Sequence, residues 1–167
     1  MTDIPDALVD PTDAQLDALV DRALARLRHA LPDLPLDDAE VLAQVRALAL
    51  ASDFAIDVCV QQPALLPGLL ADAGAAPAAP PVLDASLRTD WGSLLRRYRR
   101  AESVRLIWRD VQGLDTLDET LAGVSQLAET CLRIGLEALE AEFAQRFGIV
   151  RDADGRPVRL VVYALGK

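Results

Sequence analysis

The sequence predicts a mainly α protein: an antiparallel helical bundle followed by a C-terminal β-hairpin or strand that begins a sheet. Three observations predict it. Leu and Ala, both strong helix formers, number 29 and 28 of the 167 residues. Apolar side chains recur at three- and four-residue steps over most of the chain. After Gly148 the pattern changes to a run of Val, Leu and Tyr beside a Gly turn.

The elements follow in order. Asp10-Pro11 is a helix start, with Asp10 as N-cap and Pro11 at the first position. Leu16, Leu19, Val20, Ala23, Leu24 and Leu27 give that helix its apolar face, and Pro32 and Pro35 end it. Asp37 or Asp38 caps a second helix, apolar from Val41 to Leu50. Ser52-Asp53 caps a third segment, 54–60, and Pro63 opens a short one over 64–70. Residues 73–82, rich in Ala and Pro, are a linker or surface loop. Asp84 or Ser86 starts a long helix to about Gln112, with Gly92 a possible bend and Gly113 its end. Thr116 and Glu119 form a capping box for a helix reaching Phe147, closed by Gly148. The two long helices pack antiparallel because few residues join them. Ile149-Val150, the Asp154-Gly155 turn and 158–165 then make a hairpin whose second run is a buried strand. A two-stranded unit is marginal alone, so the strand starts a sheet that continues beyond Lys167. The expected organisation is 1–83, N-terminal helices and loop; 84–148, the long helices; 149–167, the first strand or strands of a further domain.

Composition excludes several classes. A 51% hydrophobic content rules out disorder. Two distant cysteines, Cys59 and Cys131, do not make a disulfide scaffold, and with one His they do not make a zinc site. No run of about 20 apolar residues exists to span a membrane. Asp3, Asp6 and Asp10 argue against a signal peptide, so the expected location is cytoplasmic.

The net charge is -9, which argues against a general nucleic-acid binder. It is unevenly spread. Residues 1–95 carry 15 acids and 5 bases, residues 96–109 six Arg and one Glu, and residues 110–167 ten acids and 6 bases. Arg96, Arg97, Arg99 and Arg100 therefore form a candidate interaction face for a phosphate or an acidic protein surface. The plainer reading pairs these arginines with the chain's own acids. No residues suggest catalysis: no nucleophile stands beside a base, and no ligands cluster. Asp53 and Asp57 share a helix face, but Ser52-Asp53 is more simply a helix start. His29 suits the cation-favouring end of its helix. Cys59 and Cys131 read as buried thiols, and Trp91 and Trp108 as core anchors. Gly166-Lys167 has the ending of a phosphate loop, yet the motif needs Gly where Val161 stands.

The run from Leu95 to Leu114, with Arg96-Arg97-Tyr98-Arg99-Arg100 and Arg105-Leu106-Ile107-Trp108-Arg109-Asp110, resembles a signature of the bifunctional glutamine synthetase adenylyltransferase/adenylyl-removing enzymes. Ser52-Asp53-Phe54 with Pro63, the 117–131 segment, and 161–167 are similar to further segments of that family, in the same order. Ala164 and Leu165 stand where the family's strand has Gly and Met. The resemblance implies two nucleotidyltransferase domains of the DNA polymerase beta-like type in a much longer chain. One removes AMP from a tyrosine of glutamine synthetase by phosphorolysis; the other attaches AMP from ATP. It implies Mg²⁺ with ATP, ADP and phosphate, and glutamine synthetase and PII-type signalling proteins as partners. The family's metal-holding carboxylates follow the Gly-Lys, so Gly166 and Lys167 only flank the expected site. This chain is then an inactive N-terminal fragment of the adenylyl-removing half. The alternative is a self-contained helical interaction module.

Overall fold

The computed structural model describes residues 12–163. Among them are six α-helices, a 3₁₀ segment and no strand. The helices are α1 (Asp13–Ala30), α2 (Ala39–Ala51), α3 (Asp53–Gln61), α4 (Leu65–Asp72), α5 (Trp91–Val111) and α6 (Leu117–Phe147). They form two compact units. One holds Met1–Ala76 and Val104–Thr116, the other Pro77–Ser103 and Leu117–Lys167, so α5 contributes residues to both.

In the first unit, α1, α2 and α3 pack on one another. Asp38 starts α2 by accepting from the Glu40 and Val41 amides at 2.8 and 3.2 Å. Ser52 starts α3 through its Oγ, 3.1 Å from the Ala55 amide. These caps satisfy amides that lack helical partners. The start of α1 differs from expectation. Thr12 is its N-cap, and the Gln15 side chain accepts from the Thr12 amide at 2.8 Å; Asp10 and Pro11 lie outside the described residues. The buried faces supply Leu27, Val45, Leu48, Ile56 and Leu66. Val104 and Trp108 of α5 complete that core.

The second unit pairs α6 with the N-terminal half of α5. Arg88 forms an ion pair with Glu142. A Cβ added at Gly135 would lie 3.9 Å from Leu95 Cδ1. Arg99 acts electrostatically on Cys131. The numbers fall along α6 as they rise from Arg88 to Arg99, so the two run antiparallel.

The expected long helix from Asp84 is corrected. Residues Ala85–Asp90 form a 3₁₀ segment with Leu87 at φ -116°, and α5 runs unbroken through Gly92. Asp84 causes the tight start: its Oδ1 accepts from the Ser86 amide at 2.7 Å and from Ser86 Oγ at 2.6 Å. Such local bonds compete with helical ones.

The buried C-terminal strand is also corrected. Gly148, at φ +85°, ends α6. A turn then closes with one antiparallel bridge, Arg151 to Pro157, and the Val158 amide donates to the Val150 carbonyl at 2.9 Å. From Val158 to Tyr163 the side chains are exposed, Tyr163 by 84%. A strand needs a run of pairing with a neighbour, and one isolated bridge does not supply it. Residues 164–167, with Gly166 and Lys167, lie outside the described residues.

Candidate functional site

At 100° per residue, Arg96, Arg99, Arg100 and Ser103 fall within about 100° of α5, and Arg97 lies beside them. Arg96, Arg97 and Arg99 are exposed and Arg100 is half-buried. Trp91, Leu95, Tyr98 and Glu102 fall on an adjoining side, centred about 120° round the helix. Glu102, the lone acid of 96–109, is 6% exposed and accepts from the Ala78 amide at 2.9 Å. The four arginines thus stand close together on α5 in a chain of net charge -9.

The rest of the basic run has a structural task. Arg105 Nη1 donates to the Gly74 carbonyl at 3.0 Å, and Arg109 Nη1 to the Ala73 carbonyl at 3.5 Å. Ala73 and Gly74 have φ of +55° and +66° and end α4 in the left-handed region. A Cβ on Gly74 would come within 3.3 Å of Trp108 Cδ1, so glycine permits the close packing there. Arg109 also grips Asp115 from Nε, 2.9 Å from both carboxylate oxygens, and from Nη2 at 2.5 Å. The segment Arg105-x-x-Trp108-Arg109 thus locks the end of α4 and the turn after α5. Sequence reading missed this role; Asp72-Ala73-Gly74, a helix-stop pattern, was the available signal.

The Arg109 hydrogen bond, with the charges of Arg109 and Arg105, holds the Asp115 carboxyl below the usual carboxylate range. The stabilisation from this pair is complete above the unfolded value of about 3.9 and is lost as pH falls through the lower folded value. In urea titrations below about pH 4, the native chain should lose a component of stability that Asp115→Asn lacks at every pH. Parallel acid limbs for the two proteins would refute this.

The remaining sequence candidates are accounted for. Arg26 pairs with both Asp53 and Asp57, so the two carboxylates serve a structural cation bridge. His29 is exposed in the last turn of α1. Cys59 is buried, and burial pushes its thiol up to about 12, far from nucleophilic thiolate. Cys131, expected to be buried, is half-buried instead. Trp91 and Trp108 are 7% and 1% exposed, as core anchors should be. Among the described residues no three His, Cys, Asp or Glu side chains converge to hold a metal ion. No single helix among them is long and apolar enough to cross a membrane.

A family model described as glutamate-ammonia ligase adenylyltransferase matches residues 42–167. A bifunctional glutamine synthetase adenylyltransferase/adenylyl-removing enzyme from Stenotrophomonas maltophilia (strain K279a) is 54% identical over 152 residues. One from Xanthomonas campestris pv. campestris (strain B100) is 52% identical over 155 residues. These alignments each cover 91% of this chain and 16% of the relative. A more distant relative of the same description, from Nitrosococcus oceani, is 33% identical over 158 residues, covering 86% of this chain and 16% of its own length. No solved structure matches the chain.

Proposed function

The chain belongs to the glutamate-ammonia ligase adenylyltransferase family, and from that premise we propose that it forms the N-terminal helical part of the adenylyl-removing half of such an enzyme. The whole enzyme then removes AMP from a tyrosine of glutamine synthetase by phosphorolysis and restores it from ATP. This chain supplies the helical platform, and the groups that hold Mg²⁺ and nucleotide come from outside its described residues. Gly166 and Lys167 flank that site. The chain by itself is inactive. Glutamine synthetase and PII-type proteins are the partners, in the cytoplasm.

One observation carries this reading: α6 and the segment after it hold apolar surface that a finished protein would cover. Leu121, Ala128, Leu132, Leu139 and Phe143 fall within about 60° of one face of α6, over about 33 Å. Leu121, Leu132 and Phe143 are 56%, 46% and 53% exposed. The extended segment beside them is anchored by Glu140, which accepts from Arg159 Nε at 3.0 Å and from the Leu160 amide at 3.2 Å. Val161, Val162 and Tyr163 continue it with exposed side chains. Exposed apolar area of this extent marks a contact surface, and an extended segment takes a neighbouring strand.

Hydrogen exchange tests the reading. Amides 161–163 should exchange close to the unprotected rate in the 167-residue chain. In a chain extended to its relatives' length they should slow by about a hundredfold or more. Equal rates in both would sink the reading.

The arginine face favours a second reading, a self-contained module that binds an acidic protein. An Arg96→Ala/Arg97→Ala/Arg99→Ala/Arg100→Ala chain that keeps every partner of the parent would remove it.

A further inference from the structure

The loop joining α1 to α2 and the side of α4 enclose an apolar groove of ≈ 580 Å³ within the first unit. Leu34, Pro35 and Val41 line it from one side, and Pro67, Leu70 and Ala71 from the other. Proline fixes its own φ. Walls built on Pro32, Pro35 and Pro67 are therefore held in shape before anything binds, which lowers the ordering cost of association. Asp33 is the lone charged group of the lining.

The charge on these elements has one sign. No Lys, Arg or His lies between His29 and Arg46, or between Arg46 and Arg88. Asp33, Asp37, Asp38 and Glu40 occupy the loop and the first turn of α2, and Asp72 ends α4. Asp38 is engaged as the α2 cap, and Asp72 accepts from the Gly74 amide at 2.9 Å. Asp33, Asp37 and Glu40 remain exposed. The nearest cations in sequence, Arg28 and His29, are in the last turn of α1.

We propose that this groove docks a basic amphipathic helix of a partner protein. The helix seats its apolar side chains against Leu34, Val41, Pro67 and Leu70, and its Lys or Arg side chains face Asp33, Asp37 and Glu40. An apolar face laid into an apolar groove is an established way to recognise a helix. The acids add selectivity for positive charge and speed the encounter. A small apolar molecule would use the groove but leave the one-signed charge without a purpose. This surface is opposite in charge to the arginine face of α5, so the two take partners of opposite character.

The probe is a fluorescent 18-residue peptide with Leu on one helical face and Lys on the other, titrated into the 167-residue chain. Anisotropy reads affinity, and amide chemical shifts map the site. We expect saturable binding, with shifts at Leu34, Val41 and Leu70. Asp33→Lys/Asp37→Lys/Glu40→Lys should weaken it about tenfold or more. The neutral Asp33→Asn/Asp37→Asn/Glu40→Gln chain keeps the shape and should lose a smaller part. Glu129→Lys on α6 should change nothing. Equal binding of a Leu/Glu peptide would overturn the proposal. So would shifts confined to α6, absence of binding, or self-association of the chain through the groove.

Discussion

Trp108→Ala should cost the first unit about 3–5 kcal/mol, the largest stability loss expected from one side chain here. Trp108 is 1% exposed and packs in the same cluster as Leu27, Leu48 and Ile56. Truncation removes a large apolar surface and leaves a cavity that helices fixed by caps cannot fully close. It also strips packing from the turn at Gly74, whose carbonyl Arg105 holds. The measurement is urea denaturation followed by circular dichroism, which does not depend on the lost indole. A midpoint within about 0.5 kcal/mol of the native chain would show that Trp108 is not the anchor described. Arg96→Ala, on the exposed face of the same helix, is the control and should fall inside that range.

The second large effect should appear only in the longer protein. Leu132 and Phe143 lie in the exposed stripe of α6. In the 167-residue chain Leu132→Asp/Phe143→Asp should change stability by about 1 kcal/mol or less, from helix propensity alone. In a chain of the relatives' length the same pair would bury two unpaired carboxylates. Breaking a buried contact that way costs several kcal/mol, and about 3 kcal/mol is already more than a hundredfold in rate or population. Phosphate-dependent AMP release should fall by at least that factor, with the isolated chain still folded. Full activity in the double variant would mean that nothing packs on this face.

Much of the helical fold was legible because helix signals are local. Asp38, Ser52, Gly113 and Gly148 mark starts and stops by chemistry that acts within a few residues, and each serves at or beside a helix end. The start at Asp84 misled because Asp and Ser two apart bond each other and tighten the turn. The strand at 158–163 was not settled by its composition. A Val- and Leu-rich run becomes a strand only where neighbours pair with it, and those neighbours are not in the run itself. The candidate site divides the same way. The arginine face follows from helical spacing alone, since Arg96 and Arg100 are one turn apart. The grip of Arg105 and Arg109 on Gly74 and Ala73 joins residues 31 and 36 apart, so the helix stop at Asp72-Ala73-Gly74 is legible locally but its partners are not. The apolar groove was invisible for that reason too, although the acids around it are plain in the sequence.

On the proposed reading, this chain is a helical platform whose chemistry is supplied from outside its described residues. Phosphate-dependent release of AMP from adenylylated glutamine synthetase tests it most directly, run on the 167-residue chain beside one extended to its relatives' length. The expected result is turnover by the extended chain and none by the 167-residue chain. Measurable release by the 167-residue chain alone would contradict the account, because it would place the reacting groups among these helices.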